Sequence, residues 1–201
     1  AKRIAAMKDT FLKNEVYPIH FMYDTGMLEE LKDILGFKNQ ELSNKVGAFT
    51  DYTDRILEWA TRKVGGALWR EMKSDACTPF TRVTSDGTYF LTRLADYLKN
   101  STHIQLHIVG HSAGSIFQAH SLARLFKIDE TLKVDSLHLM APAISYPLFN
   151  ETLAPLIESE HIASTTVYNL SGPLEKDDHV ARIYQKSLLY LVSNAFESKT
   201  A

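Results

Sequence analysis

The chain has 201 residues, 45% of them hydrophobic and 23% charged, with a formal net charge of -2 at pH 7. That is enough apolar sequence for one substantial core, while the near balance of charge, without a block of one sign, argues against nucleic acid as a partner. Cys77 is the single cysteine, so neither an intrachain disulfide nor a cysteine metal site is expected, and a reducing, cytoplasmic setting is compatible.

Ala1 to Asn14 reads as a helix with Ile4, Met7, Phe11 and Leu12 on one side. It has neither the layout of a signal peptide nor an initiator Met, and no apolar run in the chain approaches the roughly 20 residues of a membrane span. Val16 to Tyr23 reads as a strand, with Pro18 near its start or at an irregular position because proline lacks a ladder donor. Asp24-Thr25-Gly26 turns the chain, and Met27 to Leu35 forms a short helix closed by Gly36.

From Phe37 to about Pro79 the pattern departs from strand–helix alternation. Phe49, Tyr52, Ile56, Trp59, Ala60, Val64, Ala67 and Leu68 make an apolar helical face, and Gly65-Gly66 invite a kink or break. Residues 37–79 read either as a helical cap inserted over an active site or as a helix packed on the sheet. Ser85-Asp86 then cap a helix through Leu98, which returns the chain to a strand beginning near Ile104.

That strand runs into Gly110-His111-Ser112-Ala113-Gly114, and a helix follows with Ile116, Ala119, Leu122, Ala123 and Phe126 at helical spacing. A serine at a sharp strand-to-helix turn has its hydroxyl lifted above the sheet, and glycines two residues either side allow the close backbone approach such a turn needs. Gly110 and Gly114 meet that description; the alternative is that Ser112 merely caps the helix. Val134 to Met140 is the next strand, Pro147 to Glu158 a helix, Thr165 to Leu170 a strand turned at Ser171-Gly172-Pro173, and Ala181 to Phe196 a helix. The alternation predicts one α/β domain, a mainly parallel sheet with helices on both faces, with its chemistry at the carboxyl ends of the strands.

At this motif the chain resembles the α/β-hydrolase superfamily, in the Gly-His-Ser-x-Gly form found among lipases, esterases and thioesterases. The pattern of elements extends the resemblance over most of the chain, but only the elbow is a specific motif. The resemblance implies a serine hydrolase acting on carboxylic esters of small-molecule, lipid or thioester type. Ser112 would be the nucleophile, the Ala113 N–H an oxyanion donor, and His111 a common feature before the nucleophile and not the base. It also implies the order Ser, then acid, then His. The turn after Leu170 carries Glu175, Asp177 and Asp178, and the acid is expected at Asp177 or Asp178; the Asp-x-x-Val spacing to Val180 favours Asp177. The only later histidine is His179, too close to Asp178 to serve as its base.

The second oxyanion donor and the catalytic histidine are therefore expected outside residues 1–201, which makes the domain incomplete at both ends. His103, His107, His120 and His138 read as hydrogen-bonded structural histidines, and His20 and His161 are poorly placed in that order. His103 and His107 share a strand face but lack a third ligand, so neither metal nor cofactor is expected. Two readings stand beside hydrolysis: a non-catalytic binding domain that keeps the elbow as fold geometry, and acyl transfer to an acceptor other than water. Oligomeric state is open.

Overall fold

The structure, a computed structural model, describes residues 2–21, 50–101, 103–180 and 184–197. Helix α1 (Lys2–Lys13) forms as expected; Ile4 and Phe11 are half-buried, whereas Met7 and Leu12 are exposed. Residues 16–21 do not form the expected strand. They carry no regular structure, and Tyr17 is 87% exposed. Pro18 cannot donate to a ladder, and the segment is held instead by the ring of Phe21, whose centroid lies 4.9 Å from that of Phe90 and 5.2 Å from that of Phe117. The turn at Asp24–Gly26, the helix at Met27–Leu35 and residues 37–49 of the expected cap lie outside the described residues.

Helix α2 (Thr50–Cys77) runs unbroken through Gly65-Gly66, so the expected kink is absent. The glycines serve a close approach: a Cβ on Gly65 would lie 2.1 Å from Cε1 of Phe196. The buried face also differs from the expected one. Leu57, Thr61, Trp69, Met72 and Ala76 face the core, while Trp59 and Val64 are exposed. A 3-10 turn (Thr78–Phe80) leads to α3 (Asp86–Lys99), for which Ser85 is the N-cap residue without a side-chain cap bond.

Strands β1 (His107–His111), β2 (Ser136–Met140) and β3 (Thr165–Tyr168) form a parallel sheet in the order β1-β2-β3. Val109 lies opposite His138, and Met140 lies between His111 and Tyr168. Helix α4 (Gly114–Ile128) is the central element, packing on β1, α2, α3 and α5 (Tyr146–Glu158). Its Ile116, Ala119, Leu122 and Leu125 meet Leu137 and Leu139 of β2 in one core cluster. The opposite sheet face leaves Val109, Met140 and Tyr168 40–51% exposed. Helices together with a small parallel sheet place the described chain in the α/β class, but the expected helix cover of the second sheet face is not found among the described residues. No helix among the described residues is long and apolar enough to cross a membrane.

After β3 the expected simple turn is a short helix, α6 (Gly172–Asp177), begun by Ser171 with Pro173 in its first turn, a position where proline loses no helical bond. Of the expected helix over residues 181–196, residues 181–183 lie outside the described residues and the rest is broken up. The Tyr184 backbone pairs with Val180 and the Gln185 N–H donates to Asp54, so the helix starts only at Leu188. There α7 (Leu188–Leu191), capped by the Ser187 hydroxyl, leads into a π turn (Val192–Phe196) against α2.

Candidate active site

Ser112 sits between the end of β1 and the start of α4 with φ of 52°. A non-glycine residue holds that left-handed conformation only where its surroundings over-determine it. Here they do. The Ser112 N–H donates to the Met140 carbonyl at 2.9 Å, binding the turn to the end of β2. Its carbonyl accepts from the Ser115 N–H at 3.0 Å, the Ser115 hydroxyl at 2.6 Å and the Ala143 N–H at 3.1 Å. Ser115 is fully buried, and its Oγ also accepts from the Ile144 N–H at 3.0 Å. The segment after β2 is thereby locked to the nucleophile turn. It holds a second left-handed residue, Ala141, with φ of 42° and its N–H 2.7 Å from the Tyr168 carbonyl.

Only one of the two motif glycines is required by close approach. A Cβ on Gly110 would stand 3.1 Å from the Gly114 carbonyl oxygen and from N and Cα of Ser115, whereas a Cβ on Gly114 would meet nothing within 4 Å. The expectation that both positions would clash is corrected at Gly114, because α4 turns away from the strand one residue after Ala113. Ala113 is the N-cap residue of α4 without a side-chain cap bond. Its N–H belongs to the group of donors that a helix start leaves unsatisfied, at the positive end of the helix dipole. His111 is exposed at the end of β1.

Asp177 closes α6 and Asp178 follows it; both are exposed. Asp178 Oδ1 accepts from the His179 N–H at 2.8 Å. Among the described residues neither aspartate is bonded to an imidazole or to Ser112. The buried carboxylate of this turn is Glu175, one helical turn after Ser171, and its Oε2 has no partner among the described residues. Hydropathy hides it, because the neighbouring Leu174 is 54% exposed while the glutamate faces inward. The available signal is the Ser-Gly-Pro helix start, which makes residues 172–177 a helix with an inner side.

Three histidines are hydrogen-bonded through their rings. His161 bonds Ser159 and the Glu130 carbonyl, and His107 and His138 flank Ser136. His120 on α4 is held below the ordinary imidazole value by burial, opposed by the charge of Glu151, so it is neutral at pH 7. An open cavity of about 520 Å³ is lined by Asp75, Pro79, Arg82 and Asp86 at the α2–α3 junction, with no elbow residue in its wall. Among the described residues no group of three or more His, Cys, Asp or Glu is placed to hold a metal ion. No family model, curated protein or solved structure matches the chain.

Proposed function

We propose that the chain is a serine acyl hydrolase with an α/β-hydrolase-like fold. The observation that carries this reading is the left-handed Ser112, held between a parallel strand and a helix by bonds to its own N–H and carbonyl. That constraint leaves the side chain clear of the backbone network, as a nucleophile needs. Ser112 Oγ attacks the carbonyl carbon of a carboxylic ester or thioester, a base takes its proton, and the Ala113 N–H donates to the oxygen as negative charge develops. The leaving alcohol or thiol departs with a proton, and water releases the acid from Ser112. The carboxylate that orients the base is drawn from Glu175, Asp177 and Asp178, all beyond the end of β3.

A fluorophosphonate, which forms a covalent bond only with an activated serine, tests the reading. Intact mass is expected to rise by one adduct in the wild type and to stay unchanged in Ser112→Ala. Glu175→Gln, Asp177→Asn and Asp178→Asn then assign the acid by which of them slows labelling. An adduct that survives Ser112→Ala overturns Ser112 as the nucleophile, and no adduct with the natural full-length chain discards the hydrolase in favour of a binding domain. Competing alcohols or amines that divert the acyl group from water would identify a transferase.

A further inference from the structure

Across the exposed sheet face, from the first residues of β1 and β2 to Tyr168 at the end of β3, four side chains make one continuous line. His107 Nδ1 lies 2.7 Å from Ser136 Oγ, Ser136 Oγ lies 3.0 Å from His138 Nε2, and His138 Nδ1 lies 3.3 Å from the Tyr168 hydroxyl. The line crosses all three strands, because His107 stands opposite Ser136 in the register and Tyr168 stands on the next strand from His138. Ser136 is 7% exposed, whereas His107 and Tyr168 reach solvent.

A serine hydroxyl has a single hydrogen, so it donates to one imidazole and accepts from the other. In the neutral cluster every bond therefore runs the same way. Either Tyr168 donates to His138, His138 to Ser136 and Ser136 to His107, or all three bonds reverse. One added proton fits without loss of any bond. On His107 it makes Nδ1–H donate to Ser136, which donates to His138 Nε2, while His138 Nδ1–H donates to Tyr168. On His138 it makes Nε2–H donate to Ser136, which donates to His107. The two forms interconvert when Ser136 passes its hydrogen to His107 Nδ1 and takes the hydrogen of His138 Nε2 in the same exchange, so protons balance. A second proton does not fit. Both ring nitrogens facing Ser136 Oγ would then be donors, the buried hydroxyl hydrogen would lose its acceptor, and two like charges would face each other across one oxygen.

We propose that His107, Ser136, His138 and Tyr168 form a proton-sharing relay that takes up one proton between two imidazoles through the Ser136 hydroxyl and breaks when it receives a second. Among the described residues, the other titratable groups at this face are His111, further along β1, and Asp135 before β2, whose Oδ2 accepts the Leu106 N–H at 2.7 Å. The relay makes the exposed face a proton-sensitive surface: uncharged with no added proton, carrying one shared positive charge with one, and losing its cross-strand tie with two. It is independent of the acyl chemistry proposed for Ser112.

Nitrogen NMR of ring-labelled wild-type protein across about pH 4 to 9, a span in which histidine changes charge, tests the relay. Resonances of both rings are expected to move together in each of two resolved steps, the signature of a shared proton. Two rings that each follow a separate single-step curve would overturn it. In Ser136→Ala the rings are expected to become independent, and joint movement persisting there would also overturn it. Tyr168→Phe, a change at a half-exposed ring, is expected to keep the shared steps, because the Ser136 bridge remains. Ser112→Ala is expected to leave the titration unchanged, which separates this result from the fate of the hydrolase reading.

Discussion

Ser112 occupies a backbone conformation that costs a non-glycine residue about 1–3 kcal/mol, and bonds to the segment after β2 and to Ser115 offset that cost. The same crowding separates the two glycines of the motif. Gly110→Ala puts a methyl 3.1 Å from three backbone atoms that belong to the elbow itself, and is expected to destabilise by about 1–3 kcal/mol. Gly114→Ala adds its methyl in open space inside the first turn of α4, where alanine is expected to stabilise by about 0.5–1 kcal/mol. Urea unfolding of both variants is the check; equal losses would show that the crowding is not specific to Gly110. The motif spacing made this turn legible from residues 104–126 alone. Gly114 was misread because the spacing says nothing about how sharply the helix departs. Glu175 was underweighted because no local pattern buries a carboxylate while its leucine neighbour faces water.

Among the elements, α4 is the one whose surroundings decide the fold, and its C-terminal end is tied to α3 by charge. Lys99, the last residue of α3, donates to Asp129 Oδ2 at 2.8 Å, and the Thr131 N–H and hydroxyl donate to Oδ1 at 2.9 and 2.6 Å. The Lys99 bond first, then those of Thr131, hold Asp129 down at about 2 against an ordinary 3.8. The folded protein therefore gives up this proton more readily than the unfolded chain. The resulting stability is fully present above about pH 4 and is lost as the pH falls towards 2. Asp129→Asn is expected to be less stable than wild type at pH 6, with the gap closing as both are titrated towards pH 2. A gap that stays constant would assign the effect to packing. Helix α2 teaches a different lesson at this scale. Its glycine pair suggested a break, yet the helix continues because the Phe196 ring occupies the space a side chain would fill.

Over the whole molecule, the N-terminal half of α2 and the segment after Val180 hold each other through a polar cluster more than 120 residues apart in sequence. The Tyr184 hydroxyl donates to Glu58 Oε1 at 2.5 Å, Asn194 donates to the same oxygen at 2.9 Å, and Lys186 lies 3.3 Å from Asp54 and 3.9 Å from Glu58. Burial, with the Glu58 bond, pushes the Tyr184 phenol above its ordinary value, so it remains a donor. Further along, Trp69 and Lys73 both donate to Glu197, at 2.5 and 2.6 Å. Tyr184→Phe keeps the ring, removes one bond to a charged acceptor, and is expected to cost about 2 kcal/mol. Thermal unfolding with unchanged far-ultraviolet circular dichroism measures it, and a loss below about 0.5 kcal/mol would make the bond incidental.

The alternation of strands and helices, the parallel sheet and the Ser112 turn were determined by the sequence itself, because periodicity, caps and glycine spacing act within about a dozen residues. Tertiary structure alone decided which face of α2 is buried, why residues 184–187 leave the helix, and how His107, Ser136, His138 and Tyr168 come into line. Each of those outcomes depends on partners about 30 to 130 residues away along the chain. A local pattern states what a segment can form, whereas burial and hydrogen bonding are settled by the surface that the rest of the chain brings against it.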